Sequence, residues 1–284
     1  MSAPPALARQ VAAALGSRVE HSVRQGGGCV AGAWQMQLTD GRSVFVKTVS
    51  GPSPFEAEAL GLRHLQVPGG VRVPEVNHVE PGLLVLENIR FGRPASDWQI
   101  QFGRRLAITH QKTDDSFGFD LDHFIGETPQ ANLPRIPCKP GAWREFWWTH
   151  RLEPMIRRLP RETGARFARL ETRLPDIIPD TDFRPAILHG DLWSGNAAAD
   201  AQGSPIMFDP AAYYGHPEAD LAMTRMFGGF QPAFYQAYRE VHPLEEGWSD
   251  RLDFYMLYHV LNHLILFGSG YAAHAEQLFK RFSG

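Results

Sequence analysis

The stretch HGDLWSGN, residues 189–196, ends an apolar run and places Asp191 and Asn196 five positions apart. That spacing suits phosphoryl transfer, in which the Asp accepts the proton of a substrate hydroxyl and the Asn binds Mg²⁺. Thirteen residues after Asn196, the segment IMFDP places Asp209 at the end of a predicted strand. Its carboxylate is a second oxygen ligand of the kind that Mg²⁺ prefers. Turn formation explains each residue alone, but not the ordered set.

A glycine-rich segment near the N-terminus fits the same chemistry. Because it lies between two predicted strands, it is neither a Walker A loop nor a Rossmann loop, which both need a helix after the glycines. Consecutive glycines let backbone N–H groups approach phosphate oxygens, as in the hairpin that covers nucleotide phosphates in protein kinases. A purely structural hairpin is the alternative. The candidate nucleotide-binding residues of this loop are Gly26, Gly27, Gly28 and Cys29.

Lys47 lies in the apolar strand segment SVFVKTV, on the same face as Phe45. We expect it to contact phosphate while a carboxylate holds it in place. Glu58, on the next predicted helix, is the expected partner, whereas Glu56 lies on a different and more solvated helical face. An edge-strand lysine that extends to solvent is the alternative interpretation of Lys47.

The elements that must position these residues form two lobes. Strands at 18–25, 29–38, 42–49 and 82–89 and a helix at 55–66 make the first part mostly β. The second part is helical, with predicted helices at 97–112, 142–159, 164–178, 217–228, 232–241, 249–267 and 271–282, and a β insert at 185–210. We therefore predict an α+β, two-lobe protein-kinase-like fold. Its N-lobe (1–90) binds nucleotide, and its mainly α-helical C-lobe (91–284) binds metal and acceptor.

Composition excludes several other classes of function. A net charge of −3 gives no electrostatic basis for binding nucleic acid or an anionic membrane. No uncharged stretch reaches the ~18 residues of a membrane span, and the first residues do not resemble a signal peptide. The two cysteines, Cys29 and Cys138, offer no disulfide framework, which favours a reducing compartment. We expect a cytoplasmic protein.

With these residues in hand, the chain resembles the fructosamine kinase (ketosamine-3-kinase) family, in the aminoglycoside-phosphotransferase-like branch of the kinase fold. The similarity extends from about residue 20 to residue 272, and its most specific parts are Trp193 and the Tyr-Tyr-Gly-His segment at 213–216. Other matching segments are GGGC, VFVK, 117–132, 208–230 and 257–271. The resemblance implies ATP-dependent phosphorylation of the 3-hydroxyl of ketosamines, such as fructosamines or ribulosamines, which is a deglycation-type activity.

The resemblance also implies individual roles. Asp191 would be the base, Asn196 and Asp209 the Mg²⁺ ligands, and Lys47 with Glu58 the phosphate-clamping pair. Adenine would bind at the hinge, through backbone groups of Glu87, Asn88 and Ile89. The chain departs from protein kinases because His189-Gly190-Asp191 lacks the usual Arg and Pro follows Asp209, so no activation-loop switch is expected.

Several residues keep two interpretations. Trp193 either stacks on the acceptor or packs within the protein, and His216 either contacts the acceptor or is a solvated helix-entry residue. Asp220 is expected to brace the catalytic loop by hydrogen bonding. Cys29, among loop N–H dipoles, is either inert or redox-sensitive, which leaves a monomer or a redox-sensitive homodimer through Cys29.

Two other functions remain alternatives to a ketosamine kinase. One is another small-molecule kinase of this superfamily, acting on an aminoglycoside, choline or a hydroxy amino acid. The predicted helices carry no dense acidic run of the kind that a polycationic aminoglycoside would favour. The other is a nucleotide-binding pseudokinase, in which loss of Lys47, Asp191, Asn196 or Asp209 would be expected; all four are present.

Overall fold

The computed structural model describes residues 2–26, 32–51, 53–180 and 183–283. Its N-terminal part contains a five-stranded antiparallel sheet in the order β1-β2-β3-β5-β4. The strands are β1 (Val19–Gln25), β2 (Gly32–Leu38), β3 (Ser43–Thr48), β4 (Val76–Glu80) and β5 (Leu83–Glu87). Helix α1 (Pro5–Leu15) precedes the sheet, and α2 (Phe55–Leu65) connects β3 to β4.

The two faces of this sheet pack against different helices. Side chains alternate along a strand, so Val44 and Val46 of β3 point to the face covered by α1, where they join Leu7 and Val11 in one apolar cluster. The opposite face carries Phe45 and Lys47 and packs against α2. There the buried residues Phe55, Ala59, Leu62, Leu84 and Leu86 belong to the main core. The alternation therefore directs Lys47 towards the helix that carries Glu58.

The C-terminal part is mainly helical. Its helices are α3 (Trp98–Thr109), α4 (Ala142–Phe146), α5 (Glu153–Ile156), α6 (Arg161–Phe167), α7 (Leu174–Ile177), α8 (Pro217–Met226), α9 (Pro232–Val241), α10 (Trp248–Phe267) and α11 (Ala272–Phe282). A π-helical segment, Trp147–Leu152, joins α4 to α5, and a 3₁₀ segment, Ala168–Arg173, joins α6 to α7. Shorter 3₁₀ turns lie at Ser194–Asn196 and Ser269–Tyr271.

Short strand pairs lie among these helices. They are β6 (Ser116–Phe117) with β9 (Ile136–Pro137), β7 (His123–Ile125) with β8 (Thr128–Gln130), β10 (Ala186–Leu188) with β13 (Tyr213–Gly215), and β11 (Ala197–Ala199) with β12 (Pro205–Met207). The predicted turn at 200–203 joins β11 to β12, closed by a 2.9 Å bond from Gly203 N to Asp200 O. The loop between β10 and β11 carries the HGDLWSGN segment.

The predicted α+β class is confirmed, and each predicted helical segment is helical. Segments 142–159 and 164–178 are less regular than expected, because π and 3₁₀ turns interrupt them. Helix α1 and strands β4, β6–β9 and β13 were not predicted. The boundary between lobes at residue 90 stays a prediction. Among the described residues, no helix is both long and apolar enough to cross a membrane.

Candidate active site

Lys47 lies between two carboxylates from different parts of the chain. Its Nζ is 2.6 Å from Oε1 of Glu58 on α2 and 2.5 Å from Oδ1 of Asp209, which follows β12. Only 13% of the Lys47 side chain is exposed. Glu58, rather than Glu56, is thus the α2 carboxylate in contact with Lys47, and Glu56 is exposed to solvent.

The charges in this cluster keep Lys47 protonated. Burial by itself lowers the pKa of Lys47, but the charges of Glu58 and Asp209 outweigh it and hold that pKa above its ordinary value. Burial raises the pKa of Glu58, and the charge of Lys47 counteracts this shift. Lys47 is therefore an ammonium group held in a fixed position by two carboxylates, and such a group is a suitable contact for phosphate.

The catalytic-loop candidates Asp191 and Asn196 are in direct contact. Nδ2 of Asn196 donates to the backbone oxygen of Asp191 at 2.9 Å and to its Oδ2 at 3.2 Å. Since the amide nitrogen is used in this way, the amide oxygen of Asn196 is the atom that could bind a cation. Burial raises the pKa of Asp191 well above its ordinary value, the Asn196 bond opposes this, and the charges of Asp209 and Asp220 add to it.

Asp220, in the first turn of α8, accepts hydrogen bonds from the loop that carries Asp191, as expected. Its Oδ2 accepts from His189 N at 2.6 Å and its Oδ1 accepts from Gly190 N at 2.8 Å. Gly190 has φ +81°, and a Cβ there would lie 2.1 Å from the backbone oxygen of Ala211, so this turn requires glycine. Burial raises the pKa of Asp220, but its hydrogen bonds and the nearby histidines outweigh burial and lower it.

The segment with Asp209 is tied to the same loop. Phe208 N donates to Asn196 O at 3.1 Å, and the ring Nε2 of His189 lies 2.9 Å from Phe208 O. Asp209 itself has φ +56°, a left-handed conformation that is uncommon outside glycine. Half of its side chain is exposed. The loop and the strand end thus place Asp191, Asn196 and Asp209 in one connected structure.

The residues fit Mg²⁺ rather than a transition metal. Asn196 and Asp209 offer an amide oxygen and a half-exposed carboxylate, and Mg²⁺ typically takes one or two such protein ligands and completes its shell with phosphate and water. Within the described ranges, no group of three or more His, Cys, Asp or Glu side chains could hold a metal ion.

The remaining nucleotide-binding candidates lie at or just beyond the ends of strands β1 and β5. Glu87 ends β5, and its carboxylate is bonded to Arg72. Asn88 donates from Nδ2 to Ser43 Oγ at 2.9 Å, and Ile89 is partly buried. Gly26 is exposed at the end of β1. Gly27, Gly28 and Cys29 lie outside the described residues, so their roles stay predictions.

Trp193 lies beside the catalytic loop and in contact with other side chains. Its ring makes an edge contact with Phe227, with 5.3 Å between ring centroids, and Phe227 is 42% exposed. The ring also covers Gly195, where a Cβ would lie 2.2 Å from Trp193 Cη2. A partly buried Trp193 that packs on one side and reaches solvent on the other is compatible with both predicted roles.

His216 begins α8 and is packed among aromatic rings. Its Nδ1 accepts from Glu218 N at 3.2 Å, which caps the helix, and its ring centroid is 4.3 Å from that of Phe183 and 6.0 Å from that of Tyr255. Burial, together with the charge of Arg251, lowers the pKa of His216 to about 3. Its side chain is 12% exposed, so contact with an acceptor stays a prediction.

The β7–β8 hairpin contributes residues that the sequence did not single out. Nε2 of Gln130 donates to Ala211 O at 2.8 Å, and its Oε1 accepts from Tyr258 OH at 3.3 Å. Burial, reinforced by the charges of Lys47 and His189, lowers the pKa of His123 to about 4. The signal was the family-like segment 117–132, but no charge or spacing distinguished individual residues within it.

This architecture defines the class: proteins of the two-lobe protein-kinase-like fold. A solved structure of the aminoglycoside phosphotransferase APH(4)-Ia, in ternary complex with ADP and hygromycin B, has the same fold. It superposes with a TM-score of 0.63 at 16% identity, over 97% of this chain and 96% of that one.

Within this class, the fructosamine kinase model matches residues 4–283, so the chain belongs to that family. A chloroplastic protein-ribulosamine 3-kinase of Oryza sativa is 40% identical over 267 residues, which are 89% of this chain and 76% of that protein. The crystal structure of a "putative fructosamine-3-kinase" from Thermobifida fusca has a TM-score of 0.89 and 30% identity, over 98% of each chain.

Proposed function

We propose that this chain transfers the γ-phosphoryl group of ATP to a hydroxyl of a ketosamine, and specifically to its 3-hydroxyl. The observation that carries the proposal is the contact of Lys47 with both Glu58 and Asp209, beside a loop that joins Asp191 to Asn196. Membership of the fructosamine kinase family supports the acceptor class. The names of relatives such as the ribulosamine 3-kinase support the position of the hydroxyl.

Asp191 is the proposed base. Its raised pKa makes it a stronger proton acceptor than an ordinary carboxylate, while Asn196 keeps one carboxylate oxygen in a fixed orientation. Asp191 accepts the proton of the acceptor hydroxyl as that oxygen approaches the γ-phosphorus. Asp220 keeps Asp191 in place, because it binds the backbone N–H groups of the two residues before it.

Lys47 is the proposed phosphate ligand, and Glu87, Asn88 and Ile89 provide the backbone for adenine. Asn196 and Asp209 are the proposed Mg²⁺ ligands, and the ion, when bound, neutralises charge on the phosphates. The contact of 2.5 Å between Lys47 Nζ and Asp209 Oδ1 supports this assignment, because the proposed phosphate ligand lies beside one of the proposed Mg²⁺ ligands.

The decisive experiment is a screen of ATP consumption with ribulosamine and fructosamine derivatives of lysine, the same adducts on a small protein, an aminoglycoside and choline. We expect turnover with the ketosamines, a phosphate on the 3-oxygen by NMR, and no turnover by Asp191→Ala. Release of free amine from the phosphorylated product would demonstrate deglycation. Faster turnover of the aminoglycoside or choline would contradict the proposed acceptor, and an active Asp191→Ala protein would contradict the proposed base.

We propose a cytoplasmic enzyme whose acceptor is a free or protein-borne ketosamine. The redox-sensitive homodimer through Cys29 also stays a proposal. It is tested by sizing the wild-type and Cys29→Ala proteins after peroxide and again after reductant. A dimer that forms only in the wild type and only after peroxide is expected. Identical monomers throughout would contradict it.

A further inference from the structure

One helical turn away from Glu58 and its contact with Lys47, helix α2 touches the segment that follows Asp209. Gly61 lies three residues after Glu58 on the same helical face. A Cβ placed on Gly61 would lie 2.8 Å from Cβ of Ala212 and 3.8 Å from Cγ of Pro210. Since Ala212 follows Asp209 by three residues, the helix that carries Glu58 and the segment that carries Asp209 are in van der Waals contact.

A second contact lies further along the same helix. Nδ1 of His64 is 3.1 Å from the hydroxyl of Tyr214, and the rings of His64 and Phe119 meet edge to face at a centroid distance of 5.0 Å. Helix α2 is therefore fixed against the 210–214 segment at two successive turns. A glycine at position 61 weakens a helix interior relative to alanine, and here it provides the close approach between backbones.

We infer that the contact between Gly61 and Ala212 is a spacer that sets the separation of Glu58 from Asp209 and so holds Lys47 Nζ between them. Gly61 is thus a positioning residue for the phosphate ligand, and in that respect the inference rests on the proposed function. A methyl group at position 61 needs about 3.5–4.0 Å from Ala212 Cβ, so α2 must move by roughly 1 Å. Such a displacement can lower a rate ~100-fold.

The test changes the sizes of the residues on the two sides of the contact, at positions 61 and 212. Gly61→Ala crowds the contact, Ala212→Gly opens it, and the double variant moves the methyl group from one side to the other. Ala212→Val crowds the same contact without changing α2, and it decides the matter if Gly61→Ala does not fold. Arg63→Ala, on the exposed face of α2, is the matched control.

The first measurement needs no nucleotide. The chain has only four lysines, so brief acylation with acetic anhydride followed by peptide mass spectrometry compares Lys47 directly with the exposed Lys139 and Lys280. Lys47 Nζ is held between two carboxylates and only 13% of its side chain is exposed, so the reagent should reach it slowly. We expect Gly61→Ala and Ala212→Val to increase the relative labelling of Lys47 several-fold, and the double variant and Arg63→Ala to remain close to wild type.

The second measurement is steady-state kinetics with the ketosamine. Gly61→Ala should raise the KM for ATP and lower kcat, together at least tenfold in kcat/KM, and leave the KM for ketosamine within about twofold. The double variant should recover most of the loss, which a general defect in stability would not do. Wild-type labelling and kinetics in both crowded variants, or a double variant as impaired as Gly61→Ala, would overturn the inference. If the wild type consumes no ATP, the proposed function fails, while the labelling still decides the role of Gly61.

Discussion

Lys47 and Asp209 are 162 positions apart in the chain, and their Nζ and Oδ1 atoms lie 2.5 Å apart. Glu58 lies on the other side of the same ammonium group, at 2.6 Å. Breaking a buried pair by removing one partner is strongly destabilising, because a charge is left without compensation. With two carboxylates on one lysine, each can be removed while the other still neutralises the charge, so their functional roles can be separated from folding.

We predict that Glu58→Gln impairs ATP use more than it destabilises the protein. Lys47 keeps Asp209 as a partner and the pKa of Glu58 is itself raised by burial, so the free energy of unfolding should fall by no more than about 1.5–3 kcal/mol, the range for one hydrogen bond to a charged group. However, Asp209 alone would then hold the Lys47 ammonium group, which would no longer be fixed in the position that contacts phosphate. The kcat/KM for ATP should therefore fall at least tenfold. The control is Glu56→Gln, an exposed neighbour on α2, which should behave as wild type. Equal effects of the two substitutions would show that Glu58 has no special role.

We predict that Asp191→Asn abolishes turnover and stabilises the fold. The pKa of Asp191 is raised in the folded protein, so its ionisation opposes folding. The favourable contribution of the protonated group is fully present below the unfolded pKa of about 3.9 and is lost as the pH rises through the folded value. Asparagine cannot ionise and still accepts from Asn196, so the variant should melt a few degrees higher than wild type at pH 7. That difference should diminish as the pH falls towards the unfolded pKa and should be absent below about pH 4.

The same pKa shift predicts the pH dependence of activity. Turnover requires ionised Asp191, so kcat should rise with pH through a value above that of an ordinary carboxylate. Measurement of kcat against pH at saturating ATP and ketosamine, with the exposed α2 variant Glu56→Gln as the control, would locate this pH dependence. A kcat that is independent of pH down to about 4 would contradict a base with a raised pKa.

Asp220 should show the opposite pH dependence of stability. Its pKa is lowered, so its contribution to stability is present above the unfolded pKa of about 3.9 and is lost as the pH falls through the folded value. Asp220→Ala leaves His189 N and Gly190 N without acceptors, at a cost of about 1–3 kcal/mol each. Asp220→Asn retains one acceptor oxygen and should recover part of the stability and part of kcat. Denaturant unfolding at pH 7 and at a series of pH values below about 3.9 measures this, and an Ala variant as stable as wild type at pH 7 would contradict it.

The sequence predicted most of the fold because the dominant elements have strong periodicity. Alternation in β3 placed Lys47 on the same side as Phe45, and the helical spacing of 55–66 placed Glu58 on the neighbouring helix. The short strands β6–β9 could not be predicted, because two or three residues carry no period and their pairing depends on tertiary contacts. Helix α1 was missed because its apolar contacts with the sheet are made by few residues, including Leu7 and Val11.

For the site, the sequence allows a contact within one loop to be predicted, but not a contact between distant segments. The contact between Asp191 and Asn196 follows from their spacing within one loop. The contact between Lys47 and Asp209 does not, because it depends on how α2 packs against the 210–214 segment. Gly61 carries no chemistry, and only the packing distance to Ala212 reveals its importance.

We predict that Gly195→Ala and Trp193→Ala alter acceptor binding and leave ATP binding unchanged. A Cβ at position 195 would lie 2.2 Å from the ring of Trp193, so the ring must rotate away from the loop and from Phe227. Loss of one aromatic contact with a protonated secondary amine is worth about 0.5–2 kcal/mol, so the KM for ketosamine should rise by roughly 2- to 30-fold. The KM for ATP should stay within about twofold, because neither residue contacts Lys47.

Substitutions of Trp193 by Phe and by Leu distinguish stacking on the acceptor from packing within the protein. Stacking predicts that Trp193→Phe restores most of the affinity for ketosamine, whereas Trp193→Leu, which keeps apolar volume without a ring, does not. If Trp193 only packs against Phe227, then Leu and Phe should be equivalent, and both should change the melting temperature without changing the KM for ketosamine. The KM for the ketosamine of free lysine can then be compared with the KM for the same adduct on a small protein. This comparison would show whether the exposed edge at Phe227 favours the protein-borne acceptor.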